Sequence, residues 1–139
     1  MDSLKSVLPE GKGILPYYMF VLSVISIGNC LQTYSTLHFS RRLYNGRLDG
    51  QLTPLAGRIF GTWTLITSIV RCYAAYNLHL GPVYNIAYWT YVVAFGHFFS
   101  EKFVFGSMTF GLPQVFPFTL ATCALIWMPL VRDYYVTVY

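Results

Sequence analysis

Four apolar runs fill most of this sequence: residues 14–37, 58–76, 83–105 and 114–131. A hydrocarbon core about 30 Å thick takes about 20 helical residues at about 1.5 Å each, and each run is close to that length. A transmembrane barrel would need at least about eight strands of alternating polarity, whereas these runs are continuous. Only 10% of the residues are charged, against about 25% in an average soluble domain. Nine Lys and Arg with five Asp and Glu among 139 residues cannot coat a water-facing surface. The expected fold is therefore an all-α membrane protein. It is a single domain over 1–139, with four transmembrane helices in a compact bundle and a polar loop at 38–57.

The connections carry their own marks. Asn77 to Pro82 reads as a tight turn, and 106–113 turns again through Gly106, Gly111 and Pro113. Pro117 and Pro129 weaken the fourth run. The first run is too long for a signal-peptide core and lacks a small-x-small cleavage site, so it is expected to be retained as a span.

The net charge of +4 does not point to nucleic acid. Arg41, Arg42, Arg47, Arg58 and Arg71 fall in a stretch straddling a span boundary, as flanking basic residues do. Counted by side, Lys5, Lys12, Arg71 and Arg132 stand against Arg41, Arg42, Arg47, Arg58 and Lys102, a balance that sets no orientation. Cys30, Cys72 and Cys123 have neither metal nor redox spacing and read as small buried hydrophobes. His38, His79 and His97 are too few for a membrane di-iron centre, and no phosphate-binding glycine loop occurs. No metal or cofactor is expected.

Polar residues inside a span need a reason, because a charge at a helix centre costs about 2.5–3.5 kcal/mol on insertion scales. Folding the second and third runs antiparallel about the 77–82 turn places Arg58 level with Glu101 and Lys102, and Trp63 level with His97. The same folding brings Gln32 to that level and Asn29 slightly deeper, with Thr119 and Thr122 beside them. One intramembrane polar layer of Asn29, Gln32, Arg58, Trp63, His97, Ser100 and Glu101 is thus expected, with Arg58, His97 and Glu101 internal. His97 and Glu101 are four apart on one helix face. They could form an acid/base pair with Arg58 holding a carboxylate, or the layer could be hydrogen-bonded glue between helices. Arg71 can snorkel to the headgroups. Gly57 to Gly61 and Gly96 to Ser100 are small-xxx-small patterns that allow close helix approach, and self-association is a further expectation.

Several blocks resemble one known family. They are Gly28-Asn-Cys-Leu-Gln-Thr-Tyr34, Arg58-Ile-Phe-Gly-Thr-Trp-Thr-Leu65, Ile69-Val-Arg-Cys72, Trp89-Thr-Tyr91 and Gly96-His-Phe-Phe-Ser-Glu101 followed by Phe103-Val-Phe-Gly106. In this order they resemble the ergosterol biosynthetic protein twenty-eight family, from Tyr17 to Tyr135. The resemblance implies a non-catalytic, multi-pass scaffold of the endoplasmic-reticulum membrane. It would tether the sterol C-4 methyl oxidase, the decarboxylating 3-hydroxysteroid dehydrogenase and the 3-keto sterol reductase, with links to the sterol C-24 methyltransferase in fungi. The candidate partner surface, for proteins or anionic lipid, is Arg41, Arg42 and Tyr44 of the 38–57 loop together with Arg71. Two other functions compete: a sterol- or lipid-binding transport module that uses the polar layer, and a small enzyme acting through His97 and Glu101.

Overall fold

The computed structural model describes residues 7–9, 13–46, 50–109 and 111–138. Lys5, Lys12 and Arg47 of the charge comparison lie outside the described residues. Among those described, all regular structure is helical: α1 (Leu15–Ser35), α2 (His38–Leu43), α3 (Pro54–Tyr76), α4 (Gly81–Phe103) and α5 (Leu112–Tyr135). Each long helix carries a proline in its first turn, where the missing N–H costs nothing and the fixed φ suits the helix. Thr53 caps α3 by accepting from the Ala56 N–H at 3.1 Å.

Two expectations about the connections change. The 38–57 segment is not all loop, since His38–Leu43 forms a short helix and α3 already begins at Pro54. Pro117 and Pro129 do not shorten α5, which runs through both to Tyr135. Pro129 leaves the Leu125 carbonyl without its helical N–H partner, and the Tyr88 hydroxyl donates to that carbonyl at 3.4 Å. A neighbouring helix thus supplies what the proline withholds, as membrane helices require.

The long helices run up and down, each antiparallel to the one before. α1 packs most extensively on α3. Gly57 lies against Thr33 and Leu37, and Gly61 lies against Cys30 and Thr33 so closely that a methyl group there would overlap Thr33 Oγ1. That hydroxyl is already used, donating to the Cys30 carbonyl at 2.9 Å. By contrast, nothing lies within 4 Å of a Cβ built on Gly96, so the second small-xxx-small pattern makes no close contact. α3 and α4 meet in the register expected from their turn, with the Trp63 and His97 ring centroids 5.2 Å apart. α4 and α5 are joined by the Tyr84 hydroxyl donating to the Met128 carbonyl at 2.5 Å. The chain beyond α5 returns to the α3–α4 turn, where Thr137 and Val138 N–H both donate to the His79 carbonyl at 2.9 Å.

The surface is apolar on every long helix. Ile66 (58% exposed), Trp89 (62%) and Ile126 (62%) face outward while Ser23, Ser68 and Arg71 are buried. α1 and α5 are long and apolar enough to cross a membrane. α3 and α4, at 23 residues each, match them in length but carry Arg58, Arg71, Glu101 and Lys102, which lower their apolar character. Cys123 sits on the exposed face of α5, not in the interior, whereas Cys30 is buried and Cys72 half-buried.

The two glycine patterns predict substitutions of opposite sign. Gly96→Ala should stabilise by up to about 1 kcal/mol through helix propensity. Gly61→Ala should destabilise by about 1–3 kcal/mol, because the α1–α3 contact is overpacked. Thermal unfolding of both variants in one detergent checks this.

Candidate functional site

A cavity of about 380 Å³ lies inside the bundle, with every helix contributing to its wall. Its size falls in the range of about 300–1,000 Å³ typical of ligand pockets. Aromatic and aliphatic side chains make most of the wall, including Phe60, Trp63 and Phe98, while Asn29, Gln32, Thr64, Thr67 and Arg71 supply polar atoms. The wall residues Ile25 and Gly28 of α1 and Phe116 of α5 are exposed, so the cavity opens sideways between these two helices. Lower in the bundle that seam is closed, where the Tyr18 hydroxyl donates to the Leu120 carbonyl at 2.7 Å and the Leu15 N–H donates to Tyr135 Oη at 3.2 Å.

The expected polar layer is divided into three local sets. Asn29 Nδ2 donates to Thr64 Oγ1 at 3.3 Å, and the Asn29 Oδ1 atom is buried without a hydrogen-bond partner. His97 Nε2 shares a 2.6 Å hydrogen bond with the Tyr44 hydroxyl. Glu101 takes a short hydrogen bond from Ser107 Oγ, and its backbone carbonyl accepts from Ser107 N–H at 2.9 Å. Gln32 lines the cavity. Ser100 donates to the His97 carbonyl of its own helix at 2.8 Å and bonds to no other helix. Thr122 likewise bonds back to Phe118 at 2.8 Å, and Thr119 is exposed.

Three expected placements need correction. Arg58 is at the depth expected but on the exposed side of α3, so it neither joins His97 and Glu101 nor faces the cavity. Tyr44, expected on an outer surface, is 9% exposed. It stands edge-on to Phe60 and His97, with centroids 5.5 and 5.9 Å away. Burial pushes its hydroxyl well above the ordinary tyrosine range, with the Glu101 carboxylate adding to the shift. Arg71, expected at the headgroups or on a partner surface, is only 8% exposed and lines the cavity. Its guanidinium carbon lies 3.9 Å from the Tyr91 ring centroid, and its Nε donates to Thr90 Oγ1 at 3.1 Å. Arg41 and Arg42 are exposed as expected, in the last turn of α2 where a helix C-terminus favours cations.

Gln114 was not singled out in the sequence. Its Nε2 donates to the carbonyls of Arg42 at 2.6 Å and Leu43 at 2.8 Å, satisfying the C-terminal end of α2. Asn45 works beside it, its Oδ1 accepting from Thr109 N–H at 3.0 Å and Thr109 Oγ1 at 2.8 Å. A Gln in the first turn after a Gly-Leu-Pro start was the available signal, but nothing in the sequence names its partner. Together these bonds hold α2 across one end of the cavity, with Phe39 and Leu43 in its wall. Among the described residues no group of three or more His, Cys, Asp or Glu side chains could hold a metal ion.

The chain matches the family described as Erg28 like protein over residues 15–126. It is 62% identical to ergosterol biosynthetic protein 28 of Gibberella zeae, with 98% of each chain covered. It is 41% identical to the protein of that name in Candida albicans, over 95% of this chain and 96% of the other. With the Saccharomyces cerevisiae protein the identity is 36%, over 89% and 84%. No solved structure matches this chain.

The Tyr44–His97 bond joins the segment after α2 to α4. Tyr44→Phe should leave His97 Nε2 unpaired and cost about 1–3 kcal/mol, as a buried polar group left unsatisfied does. Faster proteolytic cleavage after α2, with α1 and α3 still protected, is the outcome to look for.

Proposed function

Since the chain belongs to the Erg28 like protein family, we propose that it serves sterol biosynthesis as a non-catalytic scaffold in the endoplasmic-reticulum membrane. It crosses the bilayer four times. It gathers the sterol C-4 methyl oxidase, the decarboxylating 3-hydroxysteroid dehydrogenase and the 3-keto sterol reductase, with the sterol C-24 methyltransferase as a further partner. Family membership over nearly the whole chain carries this reading. Four crossings are supported by the apolar exterior: Ile59 and Ile66 on α3, and Ile86, Trp89 and Val93 on α4, are exposed just as Val21 and Ile126 are on the two more apolar helices. Such a surface has no use in water and suits either acyl chains or the helices of other membrane proteins.

The benefit of a scaffold here is concentration. Enzymes held on one platform meet as if at about millimolar concentration, so an intermediate passes on before it diffuses away in the membrane. His97 and Glu101 are engaged with Tyr44 and Ser107, an arrangement that suits a structural part better than an acid/base pair open to substrate. A second reading, a sterol- or lipid-binding module, is favoured by the cavity and its sideways opening.

Affinity isolation of the tagged protein in mild detergent should bring down the three demethylating enzymes. Its deletion should make C-4-methylated or C-4-carboxylated sterols accumulate. Absence of all three enzymes from the isolate, with unchanged sterol composition on deletion, would overturn the scaffold.

A further inference from the structure

Among the described residues, the wall of the cavity holds a cation and no anion. Arg71 is buried, and among the described residues its guanidinium has one hydrogen bond, from Nε to Thr90, and is paired with no carboxylate. The Tyr91 ring that it covers satisfies the face of the guanidinium but not its Nη–H donors. Tyr91 is itself 1% exposed, lines the same cavity, and has a hydroxyl without a hydrogen-bond partner. Two donor groups, one of them charged, therefore stand together at one end of an apolar chamber. Toward the other end the wall is Phe39, Leu43 and Phe116 with the uncharged polar groups of Asn29, Gln32 and Thr64, and the opening between α1 and α5 is flanked by Ile25 and Gly28.

We propose that this cavity takes up an elongated apolar molecule bearing a single carboxylate, which enters between α1 and α5 and places its acid group on Arg71 and Tyr91. A planar guanidinium matches two carboxylate oxygens at once, and the Tyr91 hydroxyl adds a further donor. A chamber of about 380 Å³ is of the size that takes one small ligand. The proposal rests on the lipid-binding reading and not on the scaffold, since capture of enzymes and binding of ligand can succeed or fail separately.

The test is equilibrium binding to the full chain in phosphatidylcholine nanodiscs. The radiolabelled probes are cholenic acid, palmitic acid, their methyl esters and cholesterol. Saturable binding of an acid about tenfold tighter than its own ester is expected, and the sterol and acyl pairs tell which skeleton is preferred. Arg71→Gln should bring the acid to the affinity of its ester and leave the ester unchanged. Gly28→Trp should weaken acid and ester together without disturbing the fold, because a Cβ at position 28 meets nothing within 4 Å. Equal binding of acid and ester would overturn the carboxylate proposal while leaving a lipid-binding module standing. Indifference to Gly28→Trp would remove the cavity as the site, and no saturable binding of any probe would end both. If Arg71→Gln fails to fold, the wild-type acid–ester ratio and the Gly28 variant still decide.

Discussion

The contact between Gly61 and Thr33 governs the shape of the bundle. It draws α1 onto α3 until backbone meets side chain with no room for a methyl group. In lipid there is no hydrophobic drive between helices, so such van der Waals contact has to do the holding. α1 packs on α3 far more extensively than on α5. It reaches α5 through Leu15 and Tyr18 at one end and leaves it at Ile25 and Gly28, where the cavity opens. The chamber lies where α1 stays on α3 and parts from α5.

Register along the bundle was legible in the sequence, and facing direction was not. The 77–82 turn sets the α3–α4 register, so Trp63 does meet His97, and Arg71 meets Thr90 and Tyr91 by the same geometry. In a water-soluble helix the polar stripe would also tell which side faces out. Here both sides are apolar, one touching its neighbours and the other exposed, and the pattern has little contrast. Arg58 was misplaced for this reason, on the exposed side of α3, whereas Tyr44 was misplaced because the 38–57 segment reads as an outer loop and in fact folds onto Phe60 and His97. Arg71 was misread because an arginine near a span end can reach the headgroups, and only the packed bundle shows it turned inward over Tyr91.

Prolines illustrate the same division. Pro16, Pro54, Pro82 and Pro113 stand at helix starts through the local effect of fixed φ, although the sequence pattern puts Pro54 in the 38–57 loop. Pro117 and Pro129 weaken the run by removing backbone donors, and α5 continues through both. The Tyr88 hydroxyl that meets Leu125 comes from a different helix. Likewise Gln114 completes α2 from across the bundle. Where a backbone group is satisfied by its own segment the sequence suffices, and where the partner is remote it does not.

Among the described residues Arg71 has no ion pair, which raises the question of how a cation persists in an apolar interior. Its insertion costs about 2.5–3.5 kcal/mol. The Tyr91 face returns about 0.5–2 kcal/mol, and the charged hydrogen bond to Thr90 about 1.5–3 kcal/mol. Together these are of the same size as the cost, so the side chain can stay buried against Tyr91. A guanidinium balanced in this way is already oriented before any ligand arrives, and an incoming acid does not have to spend binding energy on ordering it. The same balance explains why Lys would serve poorly at this position, since it lacks the planar face that lies against Tyr91.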